Sequence, residues 1–140
     1  MNICILGAGA IGGYLAAKLS LAGSDVSLIA RGKQLKAIRE DGLTLIENGN
    51  TNTTFPTAYS NALEAGEQDY LIITLKAHSV IEMVADINPL LSRKTHVIWC
   101  VNGLPWWYFY KCPGKFENTK IEKPKTIVIE VFRIAIPTVE

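Results

Sequence analysis

The chain opens with an apolar strand pattern that runs directly into a glycine-rich turn: Met1–Gly13 reads MNICILGAGAIGG. Asn2–Leu6 has the character of a buried strand. Gly7, Gly9 and Gly12 follow with the spacing G-x-G-x-x-G. Each glycine answers a separate requirement. The first permits a tight turn out of the strand. The second lets a pyrophosphate approach the backbone, and the third lets the next helix pack closely on the sheet. A helix that starts here directs its free N–H groups and the positive end of its dipole at the phosphates. Gly7, Ala8, Gly9, Ala10, Ile11 and Gly12 are therefore the candidate phosphate-binding residues.

The surrounding pattern supports this reading. Ile11, Tyr14, Leu15, Leu19 and Ala22 recur at helical spacing, and Ala16 and Ala17 are small enough for close packing on a sheet. Gly23 marks the helix stop, and Asp25–Ala30 reads as a second strand. The expected unit is a Rossmann-type dinucleotide-binding domain; a strand-turn-helix that binds nothing is the alternative. Arg31 stands at the end of the second strand, where NAD-specific domains usually carry an acidic residue for the ribose 2′-hydroxyl. A carboxylate there repels a 2′-phosphate, whereas an arginine offers it a planar fork of donors. With Lys33 and Lys36 nearby, the expectation is NADP(H) rather than NAD; the alternative is a solvated arginine at a helix start.

Composition narrows the class. The 140 residues suffice for one domain with a real core, and 49% apolar against 19% charged residues excludes a disordered chain. A net charge of +1 gives no case for nucleic acid or an acidic membrane surface. No apolar run has the length of a membrane span, and no basic segment precedes the first strand, so no signal peptide is expected. Cys4, Cys100 and Cys112 lack C-x-x-C spacing, which points to a reducing, cytoplasmic compartment. His78 and His96 have no ligand spacing with each other or with the cysteines, so no metal site is expected.

Further along, Gln34–Glu40 reads as a short helix and Leu43–Ile46 as a strand. The Asn48-Gly49 pair predicts a hairpin turn, with Phe55–Tyr59 pairing back. Asn61–Glu67 reads as a short helix, Tyr70–Leu75 as a buried strand, Val80–Leu91 as a helix and Thr95–Val101 as another buried strand. The alternation predicts an α/β fold with a doubly wound, mostly parallel sheet. After Gly103 the character changes. Pro105–Tyr110 is an aromatic run, Lys111–Lys125 holds five lysines and two glutamates, and Thr126–Ile136 again reads as a strand. Residues 1–110 are expected to form the nucleotide-binding domain, with 111–140 a divergent tail that supplies a last strand.

In an open parallel sheet, ligands bind beyond the carboxyl ends of the strands. Gly7, Arg31, Lys76 and Asn102 each follow a predicted strand end, so all four are expected on one edge. Lys76 adds positive charge near phosphates, or is merely solvated. Asn102 can donate and accept a hydrogen bond, but Asn-Gly is also a common turn pair; the residues alone leave both readings open.

GAGAIGG, Arg31, TLKAH and VNGLPWW, in this order, resemble the 2-dehydropantoate 2-reductase (ketopantoate reductase) family over roughly Met1–Tyr110. The resemblance implies an NADPH-dependent oxidoreductase that reduces 2-dehydropantoate to pantoate in pantothenate biosynthesis. It implies that Gly7–Gly12 hold the pyrophosphate and Arg31 meets the 2′-phosphate. It further implies that Lys76 contacts the cofactor and that Asn102 lies by the nicotinamide and the substrate. The family has a second, helical domain carrying the lysine that protonates the reduced ketone. Nothing in this sequence matches that domain, and no residue here stands out as catalytic. The expectation is a truncated chain that binds NADPH but reduces a small 2-oxo acid poorly unless the missing domain is supplied. A non-catalytic NADPH-binding or partner-docking module, or a degenerate remnant, is the alternative. Self-association through Pro105–Tyr110 is also expected.

Overall fold

In a computed structural model, which describes residues 1–103 and 108–119 (backbone only at 81, 82, 84 and 85), the chain alternates strands and helices around one parallel sheet. The order is β1 (Asn2–Leu6), α1 (Ala10–Leu21), β2 (Asp25–Ile29), α2 (Gly32–Asp41), β3 (Leu43–Glu47), β4 (Asn50–Thr54) and β5 (Thr57–Tyr59). Then come α3 (Ala62–Ala65), β6 (Tyr70–Ile73), α4 (Ala77–Met83), a 3-10 helix (Val84–Leu90) and β7 (His96–Trp99). The main sheet runs β5-β2-β1-β6-β7, and every pairing in it is parallel.

Alternation along the strands divides the core. Ile3, Ile5, Val26 and Leu28 face one side, where Ala16 of α1 and Ile38 of α2 cover them. Cys4, Leu6, Leu71 and Ile73 face the other, against Ala62 of α3, Val80 of α4 and Leu90 of the 3-10 helix. Both faces are covered, so the central strands read as continuous apolar runs. This is the doubly wound α/β arrangement that the strand-helix alternation predicts.

Several local expectations need correction. The hairpin does turn at Asn48-Gly49, both with positive φ, but its returning strand is Asn50–Thr54. Phe55–Tyr59 does not pair back; Thr57–Tyr59 joins the main sheet beside β2 instead. Register explains this, because a two-residue turn forces Asn50 opposite Glu47 and exhausts β3 by Thr54. The helix expected over Val80–Leu91 starts earlier, at Ala77, and tightens into the 3-10 segment that contains Pro89. Proline has no N–H to donate to an α-helical ladder. On α1, Ile11 and Tyr14 are exposed, and Gly12, Ala16 and Ala17 make the buried stripe. Leu15 and Leu19 pack only at the margin of the core. The expected helix stop is a Schellman turn. Ala22 is the C-cap, Gly23 has φ +80° and donates to Ser20 O, and Ser24 donates to Leu19 O.

The β3–β4 hairpin is fastened to α1 by side chains. Lys18 Nζ lies 2.8 Å from Glu47 Oε2, and Tyr14 Oη donates to Glu47 Oε1 at 3.3 Å. The Lys18 ammonium holds the Glu47 carboxyl below its ordinary pKa, and Glu47 raises that of Lys18. Burial pushes the Cys4 thiol up to about 11, opposed by a weaker contact with Ser27. The strand expected at Thr126–Ile136 and the Pro105–Trp107 part of the aromatic run lie outside the described residues.

Candidate functional site

Because all five strands are parallel, the loops after β1, β2, β6 and β7 leave the sheet at the same edge. The last ladder bonds lock them in register. Gly7 N–H donates to Ile29 O at 3.2 Å, Thr74 N–H to Leu6 O at 3.0 Å, and Cys100 N–H to Ile73 O at 2.8 Å. Gly7, Arg31, Lys76 and Asn102 are thus carried on one edge, as the sequence predicts.

The three glycines of the turn differ in what surrounds them. Gly7 has φ +110°, a conformation that side chains rarely adopt, and a Cβ there would sit 2.9 Å from Leu75 Cδ2. A Cβ on Gly12 would overlap the Gly7 carbonyl oxygen and approach Thr74 Oγ1 to 2.6 Å. Both positions are constrained from within the protein: Gly7 by its positive φ and the Leu75 side chain, Gly12 by the Gly7 carbonyl. Gly9 is different. It is the N-cap of α1 with φ −73°, which any residue adopts, and a Cβ on it would meet nothing within 4 Å. Nothing in the described fold demands glycine there, whereas a phosphate group approaching the backbone from outside would.

The helix start is open as well. The first α-helical bond reaches back from Gly13 N–H to Gly9 O at 2.8 Å, so the N–H groups of Ala10, Ile11 and Gly12 precede the ladder. Gly9 supplies no side-chain cap, and the first turn of α1 carries no acidic residue. The arrangement offers unshared donors and the positive end of a twelve-residue helix to an anion.

Thr74 ties the turn to β6, and sequence reasoning passed over it. Its Oγ1 lies 2.6 Å from Gly7 O, to which it donates, and 3.2 Å from Leu6 O. The available signal was a hydroxyl residue at a strand end, directly before the leucine and lysine of TLKAH.

Arg31 is the N-cap residue of α2 and is exposed. Its Nη2 donates to Met83 Sδ at 2.9 Å and lies 4.0 Å from Asp86 Oδ2. Lys33 is exposed on α2, and Lys36 is 3.9 Å from Glu40 on the same helix. Lys76 lies just before α4 and is exposed, with its carbonyl accepting from Ser79 N–H at 2.8 Å. None of the ion pairs among the described residues involves it. Asn102 is exposed in a bend before Gly103, which has φ +88°, so the turn reading describes its backbone. Among the described residues no cluster of His, Cys, Asp or Glu is placed to hold a metal ion, and no helix is long and apolar enough to cross a membrane.

The sequence model described as "Ketopantoate reductase PanE/ApbA" matches residues 3–105. A 2-dehydropantoate 2-reductase of Mesorhizobium japonicum is 49% identical over 122 residues, covering 86% of this chain and 37% of its own. Among solved structures, a Ralstonia solanacearum protein assigned as a ketopantoate reductase superposes with TM-score 0.78 at 43% identity, covering 84% of this chain and 36% of that one. A D-mandelate dehydrogenase in a ternary structure with NADH and anilino(oxo)acetate superposes with TM-score 0.68 at 30% identity, covering 74% of this chain and 34% of its own. The chain therefore spans about 37% of the length of the curated relative it matches at 49% identity.

Proposed function

Since this chain belongs to the ketopantoate reductase family and carries its N-terminal part, we propose that it binds NADPH along the carboxyl edge of its sheet. The observation that carries the reading is the open Gly9 position at an uncapped helix start. The pyrophosphate takes the N–H groups of Ala10–Gly12 and sits where a Cβ on Gly9 would stand. The guanidinium of Arg31 receives the 2′-phosphate. Lys76 adds a charge on the same edge, and Asn102 orients the nicotinamide end and the substrate through its amide. In this reading residues 1–110 are the nucleotide-binding domain, and 111–140 are a tail attached to it.

Bound NADPH would supply a hydride, and the family activity is reduction of the ketone of 2-dehydropantoate. Reduction of a ketone builds negative charge on oxygen, which requires a proton or a positive group there. The resemblance implies a proton donor in a helical domain beyond the matched residues. We therefore propose that the 140 residues as they stand bind the cofactor and turn over 2-dehydropantoate weakly, unless a helical partner domain completes the site.

Calorimetric titration of the chain with NADPH and with NADH tests the binding. The expected result is NADPH affinity about 10–100-fold above that for NADH, the worth of one or two charge-assisted hydrogen bonds. Equal affinities would remove Arg31 from the assignment, and binding of neither would overturn the site. Turnover of about 1 per second or faster with 2-dehydropantoate would overturn the proposal that another domain is needed.

A further inference from the structure

The Arg31 head group does not face open water alone. It reaches from the end of β2 to Met83 at the end of α4 and to Asp86 in the 3-10 helix. In the sheet β1 lies between β2 and β6, the strand that precedes α4. The contact therefore joins elements on either side of the strand that carries the glycine turn. Its chemistry is loose. A thioether is a weak acceptor. The carboxylate, at 4.0 Å, stands beyond hydrogen-bond reach, and the two side chains are 69% and 63% exposed. Such a pair holds an arginine without satisfying its donors.

We propose that Asp86 is a specificity-determining residue, which competes with the cofactor's 2′-phosphate for Arg31 and so narrows the preference for NADPH over NADH. The inference rests on the binding site proposed above and deepens it. A phosphate dianion takes Arg31 readily, because it offers short charge-assisted bonds that Asp86 does not make here. The Asp86 carboxylate then remains close to the same guanidinium and repels the phosphate. A nucleotide without the 2′-phosphate meets no such repulsion, and its ribose hydroxyl is a donor that a carboxylate accepts. Asp86 thus acts against one cofactor and not the other.

The test is calorimetric titration of the full chain and its Asp86→Asn variant with NADPH and NADH. The substitution removes the charge and keeps the shape of an exposed side chain. At about 20 mM salt the variant is expected to bind NADPH about three- to tenfold more tightly than the parent, with NADH affinity unchanged or lower. The gain is expected to shrink at about 0.3 M salt, where exposed charges are screened. NADPH affinities equal in parent and variant would overturn the assignment of Asp86 alone. A parallel gain for both nucleotides would also overturn it, since a general structural effect moves both. A parent chain that binds neither nucleotide would overturn this assignment together with the site on which it rests.

Discussion

Gly9 and Gly12 stand three residues apart and are glycines for different reasons, which substitutions can separate. Asp at position 9 suits the fold: it is a strong N-cap residue, the backbone there is already extended, and its charge favours the helix start. It does not suit a pyrophosphate. Gly9→Asp is expected to keep or slightly raise the thermal midpoint while weakening NADPH binding by about a hundredfold or more, read by calorimetry on the same sample. Gly12→Ala places a methyl group on the Gly7 carbonyl oxygen, so the turn or the helix must move. It is expected to cost about 2–4 kcal/mol in urea unfolding. The glycine spacing was legible in the sequence because both constraints act within one turn of chain. The Thr74 bond to Gly7 and the Arg31 contacts with Met83 and Asp86 were not. Their partners lie 67 residues away for Thr74, and 52 and 55 residues away for Arg31, and no local pattern encodes them.

Elements were legible where a short-range rule governs them and misjudged where a tertiary contact does. Asn48-Gly49 fixed the hairpin turn, because both residues need positive φ. Which strand came back was settled by register and by the edge that β2 offers to Thr57–Tyr59. On α1 the apolar periodicity pointed to Ile11 and Tyr14, whereas close approach to the sheet selects the stripe of Gly12, Ala16 and Ala17. Tyr14 and Lys18 instead hold the hairpin through Glu47. Since Lys18 depresses the Glu47 carboxyl, this fastening is complete above the ordinary value of 4.5 and is lost as pH falls through the lowered folded value. NMR titration of the Glu47 side chain should give a midpoint below 4.5, returning towards it in Lys18→Met. An unchanged midpoint in that variant would mean that the pair does not form in solution.

At the scale of the whole molecule, the two-sided core makes stability sensitive to alkali through Cys4. The thiol lies on β1, the central strand, and burial raises its pKa from 9.0 to about 11. A raised folded value means that the native chain holds the proton more tightly. The contribution is therefore complete below pH 9 and lost between 9 and 11. Its upper size is about 2–3 kcal/mol. Urea midpoints measured across that range should fall more steeply in the parent than in Cys4→Ala, and parallel slopes would count against the buried thiol. The doubly wound plan itself was legible because strands and helices alternate with strong apolar runs. The expected self-association through Pro105–Tyr110 stays a proposal, which sedimentation at several concentrations checks.

The central strand β1 also precedes in the chain both strands that flank it, β2 and β6. Thr74, which ties down Gly7, follows it by 67 residues, so at a synthesis speed of roughly 5–20 residues per second it emerges about 3–13 s later. During that interval β1 has at most β2 beside it, with its other flank bare. Nascent chains arrested before β6 should be cut readily by protease, and chains arrested well past it should resist. The glycine turn, translated ahead of β6, is tied down only once Thr74 has emerged, which makes those seconds the ones in which a chaperone has something to hold.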